Sequence, residues 1–217
     1  MLLEKERSKV IEVAQKALKQ GLVLLTGGNF SLRDPQTGYI CLTPSGMSYP
    51  ELKPEDIVVI DVNGQVIEGQ RKPSIEKALH CMVYQKRADV FGVCHTHSQY
   101  ATAWASVEEE FPLILAELAF TLGDSLKTAP FRPMGSQELA EVTVATLGES
   151  KAVLMSNHGQ LAVGSDLDQA FANALVVEEG ARIASYANGL GRLKTISAEE
   201  ARSLQNWIAE NYGQKEE

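Results

Sequence analysis

The 217-residue chain has no apolar run that approaches the roughly 20 residues needed to cross a bilayer, so we expect no membrane partner. Its N-terminal residues, Met1 to Arg7, carry charges of both signs and no apolar segment, which is not the pattern of a signal peptide. Together these features predict a cytoplasmic protein.

Basic residues are also fewer than acidic residues. With 20 lysines and arginines against 28 aspartates and glutamates, the formal net charge is −8. No cluster of basic residues is large enough to neutralise several phosphates, which argues against nucleic acid as a partner. A small phosphorylated substrate is compatible with this charge, because backbone N–H groups can bind one phosphate without much help from side chains.

Cysteine is scarce. The chain has three, Cys41, Cys81 and Cys94, all in apolar surroundings. The odd number and the apolar neighbours indicate small buried side chains in a reducing compartment, rather than a disulfide framework or a thiolate metal site.

The predicted elements mix helices with adjacent pairs of strands. Asn63-Gly64 is the strongest hairpin signal and connects two short strands. Because the strands do not alternate strictly with helices, we expect one α/β domain with an antiparallel-rich sheet covered by helices. The main predicted elements are helices at 4–20, 75–85, 137–147, 167–188 and 198–212, and strands at 29–33, 39–43, 57–60, 65–67, 90–94, 152–155 and 161–164.

Three of the four histidines lie where predicted strands end. His95 and His97 are two residues apart after the strand Val90–Cys94, so both imidazoles point to the same side of the chain. His158 follows the strand Ala152–Met155. Three imidazoles leave one coordination position open, which favours a catalytic zinc site over a structural site with four protein ligands.

Two more titratable residues belong to the helix predicted for 75–85. Glu76 lies near the N-terminus of that helix, where the helix dipole favours a carboxylate. Beside a metal, the same carboxylate would serve as a general base or as a ligand that leaves when substrate binds, and spacing alone does not separate these roles. His80 lies one turn further on, in apolar surroundings that favour a buried supporting histidine over a metal ligand.

Two turns of small residues complete the candidate site. Thr26–Asn29 and Thr43–Gly46 combine glycine with hydroxyl groups and free backbone N–H groups. Such turns can bind a phosphate, although most segments of this kind are only turns.

Taken in order, five motifs resemble the class II aldolase and adducin family and, within it, the fuculose-phosphate aldolase group. The resemblance extends from about Glu6 to Gly213. The order of the motifs is highly specific for the family and much less specific for the reaction. The motifs are Gly27–Ser31, Thr43–Gly46, Lys72–Glu76, His95–Ser98 and Asn157–Gly159.

The resemblance implies a three-layer α/β/α domain with a central, mostly antiparallel sheet over residues 1–217. It also implies a homotetramer with active sites between subunits. One zinc ion per subunit would be held by His95, His97 and His158, with manganese or cobalt as alternatives. Glu76 would ligate the metal in the absence of substrate and act as the acid/base residue.

The resemblance also assigns roles around the substrate. Tyr212 matches a C-terminal tyrosine that exchanges a proton with the aldehyde oxygen, although a helix-end tyrosine packed on the surface fits that position equally well. The residues that match the family's phosphate site are Gly28, Asn29, Thr43, Ser45, Gly46 and Ser74.

Three departures from the family pattern bear on the reaction. Ile75 lies where the family has a second serine that faces the phosphate, which indicates weaker binding of the substrate phosphate. No tyrosine appears in the segment after the His-x-His helix, and Glu117 occupies this apolar run instead. A carboxylate buried there would suit proton transfer in dehydratase or epimerase relatives. Glutamate rather than aspartate at position 76 favours aldolase, dehydratase or decarboxylase chemistry.

The first hypothesis is therefore a zinc-dependent lyase that cleaves a ketose 1-phosphate, such as fuculose 1-phosphate, to dihydroxyacetone phosphate and an aldehyde. The alternative on the same metal site is a sugar-phosphate dehydratase, 4-epimerase or oxo-acid-phosphate decarboxylase. A third hypothesis is a non-catalytic adducin-like binding module. The intact histidines and Glu76 argue against it, because a scaffold has no need of metal ligands.

Overall fold

The computed structural model describes residues 1–107 and 109–213, so residues 108 and 214–217 of the predicted domain lie outside the described part. Among the described residues, none of the helices is both long and apolar enough to cross a membrane. The helices are α1 (Glu4–Lys19), α2 (Lys77–Lys86), α3 (Gln99–Ala105), α4 (Ala116–Leu122), α5 (Gln137–Leu147), α6 (Leu167–Asn188) and α7 (Ala198–Asn211).

Within the described residues, nine strands form one sheet, in the order β4-β3-β2-β1-β5-β9-β8-β7-β6. Every neighbouring pair is antiparallel except β7 with β8, which is parallel. The mostly antiparallel sheet predicted from the sequence is therefore confirmed. The strands are β1 (Asn29–Arg33), β2 (Ile40–Leu42), β3 (Val58–Ile60), β4 (Val66–Glu68), β5 (Gly92–Thr96), β6 (Glu110–Phe111), β7 (Leu126–Ala129), β8 (Ala152–Met155) and β9 (Gly159–Gly164).

The sheet buries both of its faces. Successive strand residues point to opposite faces, so Cys94 of β5 belongs to one apolar cluster and Val93 to the other. The cluster that contains Cys94 packs against α1, α3, α4, α6 and α7, and the cluster that contains Val93 packs against α2 and α5. Helices on both faces of one sheet make the three α/β/α layers that we expected.

The helix expected at 75–85 begins at Lys77 instead, and Glu76 is its N-cap residue. The reason is a competing set of backbone contacts. Pro73 forms a β-bridge with Pro44, and the Ser74 N–H donates to the carbonyl oxygen of Thr43. These contacts keep the chain extended, so Glu76 lies at the junction between the extended segment and the helix.

Arg7 of α1 is buried although it carries a charge. Its guanidinium donates to the carbonyl oxygens of Leu2, Pro54 and Ile57, and it pairs with Glu68 at 2.7 Å. One side chain thereby joins α1 to the segment before β3 and to the edge strand β4.

We expect Arg7→Met to lower the free energy of unfolding by about 3 kcal/mol, because it leaves buried carbonyl oxygens without donors. The matched control is Arg182→Met, which removes an arginine of α6 that pairs with Glu179 on the surface. The control should keep the parent's urea midpoint. Equal midpoints for both variants would contradict the role assigned to Arg7.

Candidate metal centre

Four side chains from separate parts of the chain converge at one end of the central strands. His95 lies in β5, His97 follows that strand directly, and His158 lies in the turn between β8 and β9. Glu76 approaches from the start of α2. One donor atom from each of the four residues lies within 4.8 Å of the others.

The separations between the donor atoms suit a tetrahedral cation. His95 Nε2 is 3.0 Å from His97 Nε2 and 3.1 Å from Glu76 Oε2, and His158 Nε2 is 3.5 Å from Glu76 Oε1. A tetrahedral zinc ion with bonds of about 2.0 Å separates its donors by about 3.3 Å. The observed distances lie on either side of that value.

The hydrogen bonds of His95 show why a cation is needed. Its Nδ1 is 2.9 Å from the carbonyl oxygen of Gln160, which can only accept, so Nδ1 carries a hydrogen. In the neutral imidazole, Nε2 then has a lone pair facing both His97 Nε2 and the Glu76 carboxylate. A proton or a metal ion must neutralise this contact.

Two of the donor atoms are buried without a hydrogen bond. Among the described residues, Glu76 Oε1 and His158 Nε2 have no hydrogen-bond partner. Leaving such atoms buried and unsatisfied costs about 1–3 kcal/mol each. A divalent cation would satisfy both, so the donor set of Glu76, His95, His97 and His158 fits one.

Without a cation, electrostatics keep His97, His158 and Glu76 in the forms that bind metal and favour a proton on His95. Burial lowers the pKa of His97 and of His158 to about 4, so both imidazoles are neutral at pH 7. Burial by itself would raise the pKa of Glu76, but the charge and hydrogen bond of His95, with the hydrogen bond from Asn29, hold that pKa below its usual range. The same carboxylate raises the pKa of His95 against the opposing effect of burial.

Glycine is required where the backbone passes the histidine strand. Gly28 has φ +73°, and a Cβ there would lie 2.6 Å from the carbonyl oxygen of His95. A Cβ on Gly159 would lie 2.3 Å from the carbonyl oxygen of Thr96. The glycines beside Asn29 and His158 therefore allow both segments to approach β5, a role separate from any contact with phosphate.

Several of the residues expected to bind phosphate lie next to Glu76 or to the extended segment that precedes it. The Thr43–Gly46 turn lies against the extended segment before α2, where the Ser45 N–H donates to the carbonyl oxygen of Lys72. Ser45 and Gly46 are exposed, whereas Thr43 and Ser74 are buried. Thr43 Oγ1 accepts from the Phe30 N–H and Ser74 Oγ accepts from the Glu76 N–H.

The Asn29 side chain was expected to lie in the phosphate site, but it contacts two protein side chains instead. Its Nδ2 donates to Glu76 Oε2 at 2.8 Å, and its Oδ1 is 2.5 Å from His80 Nε2. Both ends of the amide are engaged with protein groups, so the contacts of this side chain point towards the carboxylate.

Glu117 and Tyr212 are exposed in the single chain. The expectation that Glu117 is buried is wrong: it lies in the first turn of α4, where Leu118 and Ala119 occupy the buried face. Tyr212 follows α7 and is 77% exposed. Among the described residues, Glu117 is not part of the donor cluster.

Sequence reasoning missed the support that Gln160 gives to His95. The Gln160 carbonyl oxygen accepts from His95 Nδ1, and its side-chain amide donates to Ser98 Oγ at 2.8 Å. The available signal was a fully buried glutamine next to the apolar stretch Leu161–Val163. A polar residue in a buried strand usually has a specific hydrogen-bonding role.

The sequence and the fold match known proteins. A family model described as Class II Aldolase and Adducin N-terminal domain matches residues 8–185. The chain is 37% identical over 215 residues to a 5-deoxy-D-ribulose 1-phosphate aldolase of Bacillus thuringiensis serovar kurstaki, covering 99% of this chain and 100% of the relative.

Two further proteins show how far the likeness extends. An L-ribulose-5-phosphate 4-epimerase of Salmonella paratyphi B is 35% identical over 199 residues, 87% of either chain. A solved structure of an L-fuculose 1-phosphate aldolase superposes with a TM-score of 0.91 and 33% identity, covering 94% of this chain and 96% of that one. The likeness therefore includes both aldolases and an epimerase.

We expect His97→Ala to lower the metal content of the purified protein well below one ion per chain, because it removes one of four converging donors. Elemental analysis after dialysis against limiting zinc measures this, and circular dichroism checks that the variant is folded. Equal zinc content in variant and parent would rule out the assigned site.

With metal removed by a chelator, the free energy of unfolding should fall as pH is lowered from 7 to 5. His97 and His158, with pKa values of about 4, and His80, with a pKa of about 3, stay unprotonated when folded. In the unfolded chain the same histidines take up protons near pH 6.5, which favours unfolding. Their contribution to the free energy of unfolding is therefore fully present above that pH and is lost as the pH falls towards 4.

Each of these histidines lowers the free energy of unfolding by at most roughly 1.4 kcal/mol for each unit by which the pH falls. The raised pKa of His95 has the opposite effect and offsets the contribution of one of them. Urea unfolding in the presence of chelator at pH 7.5, 6.5 and 5.5 measures the slope. A pH-independent free energy of unfolding would contradict burial of neutral histidines.

Proposed function

The chain belongs to the class II aldolase and adducin family, and on that premise we propose that it is a zinc-dependent lyase that cleaves a ketose 1-phosphate. Breaking the bond between C3 and C4 of such a substrate yields dihydroxyacetone phosphate and an aldehyde. The observation that carries this proposal is the buried Glu76 Oε1, which lacks a hydrogen bond within the described residues and lies beside three convergent imidazoles.

The identity of the relatives supports the substrate class. A 5-deoxy-D-ribulose 1-phosphate aldolase is similar to this chain over nearly its whole length, and an L-fuculose 1-phosphate aldolase shares the fold. Both names describe 1-phosphates of ketoses. We therefore propose a small phosphorylated sugar of this kind as the substrate.

His95, His97, His158 and Glu76 would hold the cation. When bound, a divalent cation polarises the substrate carbonyl and stabilises the negative charge that develops as the C3–C4 bond breaks. Three neutral imidazoles and one carboxylate are the ligand types that suit zinc, with manganese or cobalt as alternatives.

Glu76 would move the proton at C3. Its carboxylate is ionised, is held by Asn29 through Oε2, and has Oε1 free of hydrogen bonds within the described chain. In the reverse reaction, the ionised carboxylate would remove a proton from C3 of dihydroxyacetone phosphate. In cleavage, Glu76 would first take up a proton, released from the oxygen on C4 or from solvent, and would then give it to C3. Substrate oxygen atoms would replace Glu76 at the cation and so free the carboxylate for this role.

A second group must exchange a proton with the oxygen on C4. We assign this role to Tyr212 or Glu117, both of which are exposed in the single chain. Their exposure leaves both accessible to a neighbouring subunit, and we propose a homotetramer in which each residue reaches the active site of its neighbour. Phosphate would bind at Ser45, Gly46, Thr43 and Ser74 with the backbone of Gly28 and Asn29.

The second candidate function is 4-epimerisation of a pentulose 5-phosphate. The relative that favours it is the L-ribulose-5-phosphate 4-epimerase, which matches 87% of this chain. Dehydration and decarboxylation would use the same cation and the same negative charge on the substrate. Glutamate at position 76 supports aldolase chemistry over epimerisation.

We also propose a cytoplasmic location, which the state of the cysteines supports. Cys41, Cys81 and Cys94 are all buried and free. Buried thiols without disulfides support our assignment of the protein to the cytoplasm, where thiols remain reduced.

We expect the zinc-loaded protein to release dihydroxyacetone phosphate from 5-deoxy-D-ribulose 1-phosphate or L-fuculose 1-phosphate, with loss of the reaction when a chelator is added. A coupled assay with glycerol-3-phosphate dehydrogenase and NADH follows the release. Glu76→Gln is the matched control, since it keeps the side-chain shape but removes the base, and should lower turnover by at least about 100-fold.

L-Ribulose 5-phosphate in the same panel separates the two candidates. Conversion of this sugar without triose release, by a protein inactive on every ketose 1-phosphate, would replace the aldolase proposal with epimerisation. Turnover by Glu76→Gln equal to the parent's would overturn the role of Glu76 in either reaction.

A further inference from the structure

A buried line of polar side chains leads from α2 and β1 to the Glu76 carboxylate. Tyr84 Oη lies 2.8 Å from Ser31 Oγ, and Ser31 Oγ lies 2.6 Å from His80 Nδ1. His80 Nε2 lies 2.5 Å from Asn29 Oδ1, and Asn29 Nδ2 lies 2.8 Å from Glu76 Oε2. None of the five residues is more than 5% exposed.

The chemistry of each group fixes the direction of these hydrogen bonds. An ionised carboxylate only accepts, so the NH₂ end of Asn29 faces Glu76 and its Oδ1 faces His80. His80 Nε2 must then carry a hydrogen. Because full burial lowers the pKa of His80 to about 3, the ring is neutral and its Nδ1 accepts.

The hydrogen bonds among Tyr84, Ser31 and His80 are directed by the same donor and acceptor chemistry. Ser31 must give its hydroxyl hydrogen to His80 Nδ1, since a bare ring nitrogen cannot donate. Tyr84 has one hydroxyl hydrogen, which it donates to the Ser31 carbonyl oxygen at 3.0 Å and shares with Ser31 Oγ at 2.8 Å. From Ser31 onward, every donor in the line points towards Glu76.

We propose that His80 is a positioning residue for the acid/base carboxylate: its Nε2–H holds the Asn29 amide in the one orientation that donates to Glu76. This inference rests on the proposed function, in which Glu76 moves the proton at C3. His80 is not a donor in the described metal cluster, and its ring reaches the Glu76 carboxylate through the Asn29 amide.

The reversed amide shows what His80 prevents. With Asn29 flipped, Oδ1 would face Glu76 Oε2 at the distance now spanned by a hydrogen bond, and the NH₂ group would face the Nε2–H of His80. Both contacts would then be repulsive. The present arrangement ties Oε2 to Asn29 and His95 and leaves Oε1 pointing to the side of His158.

Two consequences distinguish positioning from simple core packing. Glu76 should lose proton-transfer rate when His80 cannot donate, while the substrate and the metal still bind. A replacement that restores one donor and one acceptor should restore the rate. A histidine that only fills space would be replaced equally well by an apolar side chain of similar length.

The first test reads the tautomer in the parent protein. Long-range ¹H–¹⁵N NMR of the ¹⁵N-labelled chain at pH 7, with His80 assigned by comparison with His80→Gln, should show a neutral ring protonated at Nε2 and bare at Nδ1. A ring protonated at Nδ1, or at both nitrogens, would overturn the proposal. This readout does not depend on aldolase activity.

The second test compares His80→Met, which has no donor, with His80→Gln, whose amide offers both a donor and an acceptor. We expect kcat for ketose 1-phosphate cleavage to fall about 10- to 100-fold in His80→Met, with KM and zinc per chain at the parent's values. His80→Gln should recover most of the loss.

The outcomes separate this inference from the proposed function. Parent-like turnover in His80→Met, or an equal loss in both variants, would overturn the positioning role while cleavage by the parent upholds the aldolase. A parent inactive on every ketose 1-phosphate would overturn the aldolase instead, and the tautomer measurement would still decide the orientation at Asn29. If His80→Met fails to fold, the NMR measurement of the His80 tautomer in the parent protein decides the proposal.

Discussion

Four electron-rich donor atoms lie within 4.8 Å of one another in a buried site, and they repel each other unless a cation lies among them. Burial keeps His97 and His158 neutral at pH 7, so protons alone are a poor substitute for a metal ion. Much of the surrounding structure serves to hold this cluster together, through the Gln160 carbonyl behind His95 and the Asn29 amide behind Glu76.

The sheet makes this cluster possible by bringing distant segments to one strand. β5 lies between β1 and β9, so that Asn29 pairs with His95 on one side and Leu161 pairs with His95 on the other. The turn before β9 carries His158, and glycine at position 159 lets that turn approach the backbone at Thr96. Both an aldolase and an epimerase are similar to this chain in sequence, so membership of the family does not by itself determine the reaction.

Patterns local in sequence predicted the sheet, the Asn63-Gly64 hairpin and the positions of the three histidines at strand ends, because spacing and turn chemistry determine these features. Features that depend on distant contacts could not be predicted in this way. The pairing of Pro44 with Pro73 shifts the start of α2 and makes Glu76 its N-cap residue. The exposure of Glu117 depends on which face of α4 packs inward, and the Asn29 contacts depend on a histidine 51 positions away.

We propose that Glu76, His95, His97 and His158 hold one divalent cation. X-ray absorption spectroscopy of the zinc-loaded chain can check this, because it reports the ligand atoms around the metal. We expect three imidazole nitrogen ligands and carboxylate oxygen at about 2.0–2.2 Å, with no sulfur. Zinc with sulfur ligands, or with no imidazole ligands, would contradict it.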